Sequence, residues 1–446
     1  MMQPATGSVP GPDGYYPAMR KPPGGTSQQS RGHETRGAPG SLVLLVLPLC
    51  MALLGGCARE TTAPNPRNRP AETLQWSPPM SLFSGGGARL VHDGAGRLYA
   101  IGRVTGSSNL HVRRSTDHGA SWSAPINTGI ARSLILYRSV AAVGTTLHIL
   151  TSAGDNANLI YSRSDDGGLT WPVQHDLSGD VEVRRPHRAS IAVAGNYVHI
   201  ANSRQFNAPN RTVTYWRSTD GGTRFSAPVT IYSEADGGGV NPDLAAGVGG
   251  IVHLVLESWD GGNPFPAPYN PVTGAGGIRS IYFRSTNNGT TWPAPQQAVV
   301  LGNPILRPRL SAAAGVVTVI TETQDGVPGT QELWESHSTN DGASWKAIGR
   351  ITSTPNLDIS HPLVANGSGA QVHIGAFDET NRRLLTVHSG DNGVTWKGPV
   401  VAATLAANGI DTPLSMVASG GYLHLLAAAA FTESAAGYMR MRVDGQ

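Results

Sequence analysis

Seven stretches between residues 88 and 426 share one pattern: apolar and polar positions alternate, a glycine-containing turn intervenes, and the alternation resumes. They cover residues 88–102, 137–150, 188–201, 242–255, 308–320, 362–375 and 413–426, reading ARLVHDGAGRLYAIG in the first and RASIAVAGNYVHIA in the third. A two-residue period puts successive side chains on opposite faces of a strand, so each stretch predicts a β-hairpin with one face toward a core. No stretch carries the longer period of an amphipathic helix.

A second pattern recurs between the hairpins. Ser115-Thr-Asp117-His-Gly119-Ala-Ser121-Trp122 returns as Ser164-Asp-Asp166-Gly-Gly168-Leu-Thr170-Trp171 and as Ser389-Gly-Asp391-Asn-Gly393-Val-Thr395-Trp396. Weaker copies begin at Ser218, with Phe225 for the tryptophan, and at Ser285 and Ser338, with Asn287 and Asn340 for the aspartate. The serines lie 49, 54, 67, 53 and 51 residues apart. Asp or Asn can accept N–H bonds inside a tight turn, Gly supplies positive φ, and the aromatic starts the outgoing strand. Each copy has too few carboxylates for a calcium loop, and two copies lack the aspartate, so the repeat reads as a structural turn and no metal site is expected.

Seven hairpins and six turns do not match, and the mismatch carries information. After the last hairpin only Tyr438–Val443 remains, enough for a third strand, while Leu74-Gln-Trp76-Ser-Pro-Pro-Met80 reads like the strand that follows each box. The chain therefore predicts an all-β, seven-bladed β-propeller of about 54 residues per blade over 72–446, with the N-terminal strand completing the last blade and removing the sheet edges.

The boxes resemble the Asp-box, or BNR, repeats of sialidase-like propellers, and the resemblance covers nearly all of 72–446. It implies the fold more than the function, because xyloglucan hydrolases, sorting receptors and photosystem assembly factors share the motif. Sialidases imply a tyrosine nucleophile with a glutamate, an aspartate acid/base and three arginines on the substrate carboxylate. Here Gly86-Gly87-Ala88, with Arg89 out of place, stands at the first arginine motif; Arg103 resembles a second, with Ile101 for the accompanying glutamate. Ile359-Ser360-His361-Pro362-Leu363 stands at the nucleophile motif, and Gly375-Ala376-Phe377 where its glutamate is expected. The implied catalytic set is largely missing, and sialidases have six blades.

Residues 42–54 form an apolar run too short to span a bilayer, ending in Leu54-Gly55-Gly56-Cys57, which resembles a bacterial lipobox. This predicts a signal segment over 1–56 (translation starting at Met1 or Met19), a lipid on Cys57, a tether over 57–71 and a lipid-anchored, extracytoplasmic place in the cell envelope. The other cysteine, Cys50, lies in the removed segment, so no disulfide is expected. The first 56 residues carry four basic and two acidic side chains, leaving 29 basic against 28 acidic, no footprint for nucleic acid and no contact with membrane beyond the lipid.

In a propeller, the loops entering the inner strands and those leaving the second strands share one end of the central channel. The first set offers Tyr137, Arg138, Arg185, His187, Asn241, Asp243, Arg307, Arg309, His361 and Asp411; the second offers Arg103, Arg204, Glu257, Asp260, Glu322 and Asp378. A long insertion, Trp259 through Pro271, adds aromatics and prolines suited to stacking on a sugar. By contrast, His148, His199, His253, His373 and His424 hold one equivalent position around the ring, so they cannot converge on a ligand and are expected to pack within the sheets. Acid–base candidates are Glu257 with Glu322, His187 beside Arg204, and Tyr137; Arg103, Arg138, Arg204, Asp243, Arg307, Arg309 and His361 are candidates to hold a ligand, with an acidic glycan as partner and no cofactor. Three readings stay open: a glycan-binding or scaffolding lipoprotein, a polysaccharide-cleaving hydrolase or lyase, and a true sialidase. Glycoside hydrolysis would need two carboxyl groups about 5–9.5 Å apart.

Overall fold

The computed structural model describes residues 74–85, 87–134, 138–152, 158–178, 188–203, 212–233, 238–259, 278–299, 305–323, 332–346, 349–351, 359–404, 415–428 and 436–443. They form seven antiparallel sheets arranged as a seven-bladed β-propeller. Blades one to six start with the inner strands Arg89–His92, Val140–Val143, Ala189–Ala194, Gly238–Ala246, Ile305–Ala313 and Ile359–Asn366, and each continues outward through three strands in chain order. In blade two the short segment Ser133–Leu134 also pairs with the second strand. Blade seven runs outward from Ser415–Ser419 through Tyr422–Ala428 and Ala436–Arg442, and its outermost strand is Met80–Phe83. Met80 pairs with Tyr438 and Ser81 with Gly437, and Trp76 bridges Met441, as the count of hairpins and turns predicts.

The six repeated turns follow one design. Ser115 Oγ donates to Asp117 Oδ1 (2.8 Å) and accepts the Gly119 N–H (2.8 Å), while Asp117 accepts the Ser121 N–H (3.0 Å). Asn287 and Asn340 accept the equivalent N–H groups of Thr291 and Ser344 at 3.0 and 2.9 Å. An amide oxygen does the carboxylate's work, so the turn closes without a cation. The two central residues are left-handed, for example Asn288 (φ 53°) and Gly289 (φ 70°).

The second of these residues is glycine for a reason that lies in the preceding blade. A Cβ on Gly119, Gly222, Gly289 or Gly342 would run into the hydroxyl of Tyr438, Tyr161, Tyr215 or Tyr282 of the preceding blade. Each tyrosine also meets the aromatic of that turn edge-on, with ring centres 4.8–5.1 Å apart for Trp122, Phe225, Trp292 and Trp345. Arg163, Arg284 and Arg440, two residues beyond three of these tyrosines, donate to turn carbonyls of Gly221 (2.9 Å), Asp341 (2.6 Å) and His118 (2.7 Å). The repeated turn is therefore the clasp between blades as well as a hairpin.

The equivalent histidines complete the clasp from behind. Nδ1 of His148, His199, His253 and His424 lies 2.6–2.7 Å from the hydroxyl of Tyr161, Tyr215, Tyr282 and Tyr438. All four histidines are buried, and burial pulls each down to about 4, so they are neutral near pH 7. Between the sheets lie apolar clusters such as Val112, Leu147, Ile149 and Trp171, formed by the inward faces of the alternating strands.

Candidate functional site

The inner strands place one residue per blade at the same height on the channel wall: Arg89, Ser139, Ser190, Asp243, Arg309, Leu363 and Ser415. The register shows it, since each except Ser139 pairs with the residue two beyond the hairpin's histidine position, from Ile101 to Leu426, and Ser139 O accepts from Leu150 at that place. Inner strands leave N–H groups facing the channel, and a buried N–H needs an acceptor. Ser190 Oγ accepts from Leu244 N (3.0 Å), Asp243 Oδ2 from Leu310 N (2.9 Å) and Ser415 Oγ from Leu90 N (3.0 Å). In each case a side chain of one blade caps the backbone of the next.

Two residues before this ring the strands bulge at the channel mouth. Gly87, Asn241, Arg307 and His361 have φ of 75°, 53°, 47° and 55°, and proline follows the last three. Buried carboxylates brace them. Glu257 Oε2 accepts the Asn241 amide (2.8 Å) and the Arg307 backbone N–H (3.0 Å). Glu322 accepts the Arg307 guanidinium at Oε1 (2.6 Å) and the His361 backbone N–H at Oε2 (3.1 Å). Ser360 Oγ lies 2.8 Å from His361 Nδ1 and 2.5 Å from Glu379 Oε1. A continuous polar chain thus runs across blades four, five and six.

Its electrostatics are set by burial. Glu322 is pushed up to about 7, chiefly by desolvation, with Glu257 adding repulsion and Arg307 opposing both. His361 is pulled down to about 3 by burial and by Arg307 and Arg309. The mouth therefore holds a neutral imidazole, a guanidinium 23% exposed in its side chain, and a buried carboxyl poised to gain or lose a proton near neutrality. A cluster of this kind can grip an anionic group or exchange a proton with one.

The structure separates the other candidates. Arg138 reaches from blade two across the channel to Asp243 (3.2 Å) and to the carbonyls of Leu244 (3.4 Å) and Leu310 (2.6 Å). Arg309 sits in the ring, below Arg307. Arg103 donates to Arg132 O (3.0 Å) at the junction of blades one and two, apart from the polar chain. Asp378 is buried and tied to Arg383 (2.7 Å) and Asn381 in its own turn. Tyr137, Arg185, His187, Arg204, Asp260, Asp411 and the insertion beyond Trp259 lie outside the described residues. Sequence reasoning passed over Glu379, one residue beyond the strand end, and the place of Arg89 on the channel wall, which counting from the hairpin register would have shown. Among the described residues no group of three or more His, Cys, Asp or Glu is arranged to hold a metal ion.

A family model described as BNR repeat-like domain matches residues 197–425, just over half of the chain. The chain belongs to the BNR repeat-like family. No curated protein matches it significantly. The BNR propeller is similar to an ulvan lyase of polysaccharide lyase family PL25, with 11% identity and a TM-score of 0.53 over 83% of this chain and 96% of that one. It is also similar to a Hadza microbial sialidase (12% identity, TM-score 0.45, 80% of this chain) and to an α-L-arabinofuranosidase of Fusarium graminearum (14%, 0.45, 67% of this chain and 89% of that one). The BNR chain spans 65% of the sialidase, just under two thirds of its length. At these identities the likeness establishes the sialidase-like propeller fold alone.

Proposed function

We propose that the channel mouth over blades four to six binds an acidic glycan. The observation that carries this is Arg307. At the same bulge in blade one the chain uses Gly87, which takes a left-handed φ at no cost. Asn and His tolerate that region, but arginine at φ 47° is an outlier held in place by its surroundings. Glycine would serve the backbone at this bulge; the guanidinium pairs with buried Glu322 yet stays 23% exposed, which supports a ligand role, and its planar fork matches carboxylate or sulfate. That sialidase-like neighbours include enzymes acting on glycans supports the choice of partner.

The test uses Arg307→Gly and His361→Gly, which keep the bulge. Acidic oligosaccharides are expected to bind the parent protein at least ~10-fold more tightly than Arg307→Gly, about 1.4 kcal/mol, with neutral ones weak throughout. Equal binding of acidic and neutral glycans, or a variant that keeps full affinity, sinks the proposal.

A second reading, cleavage of the bound polysaccharide, is favoured by the raised Glu322 beside the neutral His361. Incubation with uronate polysaccharides separates the two: new reducing ends or unsaturated uronate, lost in Glu322→Gln, indicate an enzyme, and intact polymer indicates a binding protein.

Placement in the cell envelope is proposed from Cys57. Cys57→Ser is expected to leave the membrane fraction or persist as a precursor, and clean processing at an unchanged site would rule out the lipid anchor.

A further inference from the structure

At the rim of blade six, Ser360, His361 and Glu379 form an array that the bulge does not need. Ser360 and His361 are consecutive in the strand Ile359–Asn366, and consecutive strand residues ordinarily point to opposite faces. The left-handed φ of 55° at His361 breaks that alternation, and the two side chains meet, Ser360 Oγ lying 2.8 Å from His361 Nδ1. Ser360 Oγ also lies 2.5 Å from Glu379 Oε1. A carboxylate only accepts, so the Ser360 hydroxyl donates to Glu379 and receives the His361 Nδ1–H on its lone pair. The tautomer is thereby fixed: Nδ1 carries the hydrogen and Nε2 the lone pair. Nε2 has no hydrogen-bond partner among the described residues, and the His361 side chain is 20% exposed.

The same ring stands beside a cation. Glu322 holds the Arg307 guanidinium on one carboxyl oxygen and the His361 backbone N–H on the other, so both residues share one side of the mouth. Burial and the charges of Arg307 and Arg309 keep the imidazole neutral, which preserves its lone pair. The rim thus sets a charged donor, Arg307, next to a neutral acceptor. The bulge does not require that acceptor, since Glu322 already ties down the His361 backbone and blade one forms its bulge with Gly87. A carboxylate answers the donor and a hydroxyl answers the acceptor. An acidic sugar carries both on one ring; a bare inorganic anion or a neutral sugar does not.

We propose that His361 Nε2, positioned by Ser360 and Glu379, accepts a hydrogen bond from a ring hydroxyl of the sugar whose acid group lies on Arg307, so that the mouth selects hydroxy acids of the uronate class. The assignment rests on the mouth being an acidic-glycan site and narrows what that site takes. Ser360 and Glu379 are positioning residues that act through the imidazole.

Two measurements on the whole protein test it. With 15N-labelled histidine and no ligand, the NMR signals missing from His361→Gly are expected to show the Nδ1–H tautomer between about pH 5 and 8, and Ser360→Ala is expected to mix the two tautomers. A hydrogen on Nε2 in the unsubstituted protein overturns the proposal. Binding of methyl glucuronide is then compared with that of its 2-, 3- and 4-deoxy analogues. At least one deoxy sugar is expected to bind ~10-fold more weakly, and the gap to shrink below ~3-fold in Ser360→Ala. Equal affinity for all four sugars, or a gap that survives in Ser360→Ala, overturns the acceptor role and leaves the acid grip of Arg307 standing. If glucuronides fail to bind while other acidic oligosaccharides still do, the uronate class is refuted; if none binds, the glycan mouth falls as well. Should Ser360→Ala not fold, Glu379→Ala, on the exposed rim, takes its place in both measurements.

Discussion

Among the described residues, seven histidines are pulled down to about 3 or 4 and stay neutral near pH 7. His148, His199, His253, His388 and His424 are held down to about 4, and His361 and His373 to about 3, all by burial first. From pH 6.5 downward the unfolded chain takes up protons that the fold refuses, so stability falls through this window and levels off below about 3–4. The upper limit is roughly 3 kcal/mol for each histidine held at about 4 and roughly 5 for each held at about 3. Glu322 acts the other way: its raised value gives stability that is present in acid and lost as pH rises through about 7. One group cannot offset seven, so the unfolding midpoint is expected to drop steeply between pH 6.5 and 4; a flat profile there would contradict the buried neutral state. Equivalence around the ring already marked five of these histidines as structural in the sequence. Four of them meet a tyrosine on the neighbouring strand and His373 meets His388; the alternation alone did not show these partners, although Tyr161, Tyr215 and Tyr282 each stand three residues before a box serine.

At the scale of the element, the repeated turn is intelligible only with its neighbour. The sequence shows Asp or Asn, Gly and an aromatic, which suffices to predict a turn. It does not show that the glycine faces a tyrosine hydroxyl, since that contact joins residues as far apart as Tyr161 and Gly222. Gly222→Ala therefore meets both a strained φ of 88° and an occupied space. A loss of about 2–4 kcal/mol in urea unfolding is expected. Tyr161→Phe, which removes the hydroxyl and its bond to His148, should cost about 1 kcal/mol. The double variant should cost less than the sum, because the clash is relieved; strict additivity would show that the two residues do not meet.

For the whole molecule, closure rests on the strand Met80–Phe83, with Leu82 and Phe83 buried against Tyr438 and Leu426. A chain beginning at residue 74 is expected to unfold at the same midpoint as the full chain. One beginning at residue 84 exposes the edge of blade seven and should aggregate or lose cooperativity. Comparable stability of the two truncations would refute closure by this strand. Ring closure was legible because counting hairpins against turns requires no side-chain detail. The mouth was legible as a set of candidates, and the sequence also allowed its arginines to pair with neighbouring carboxylates, as Arg307 does with Glu322 and Arg138 with Asp243; the bulge that aims Arg307 is not encoded in the alternation of apolar residues.

The side chain of Arg138, anchored on carbonyls of blades four and five, has one more implication. It makes the propeller a bowl with a floor instead of an open pipe. If the mouth holds a glycan as proposed, that polymer meets the propeller from one side, across the rim, and does not pass along the axis.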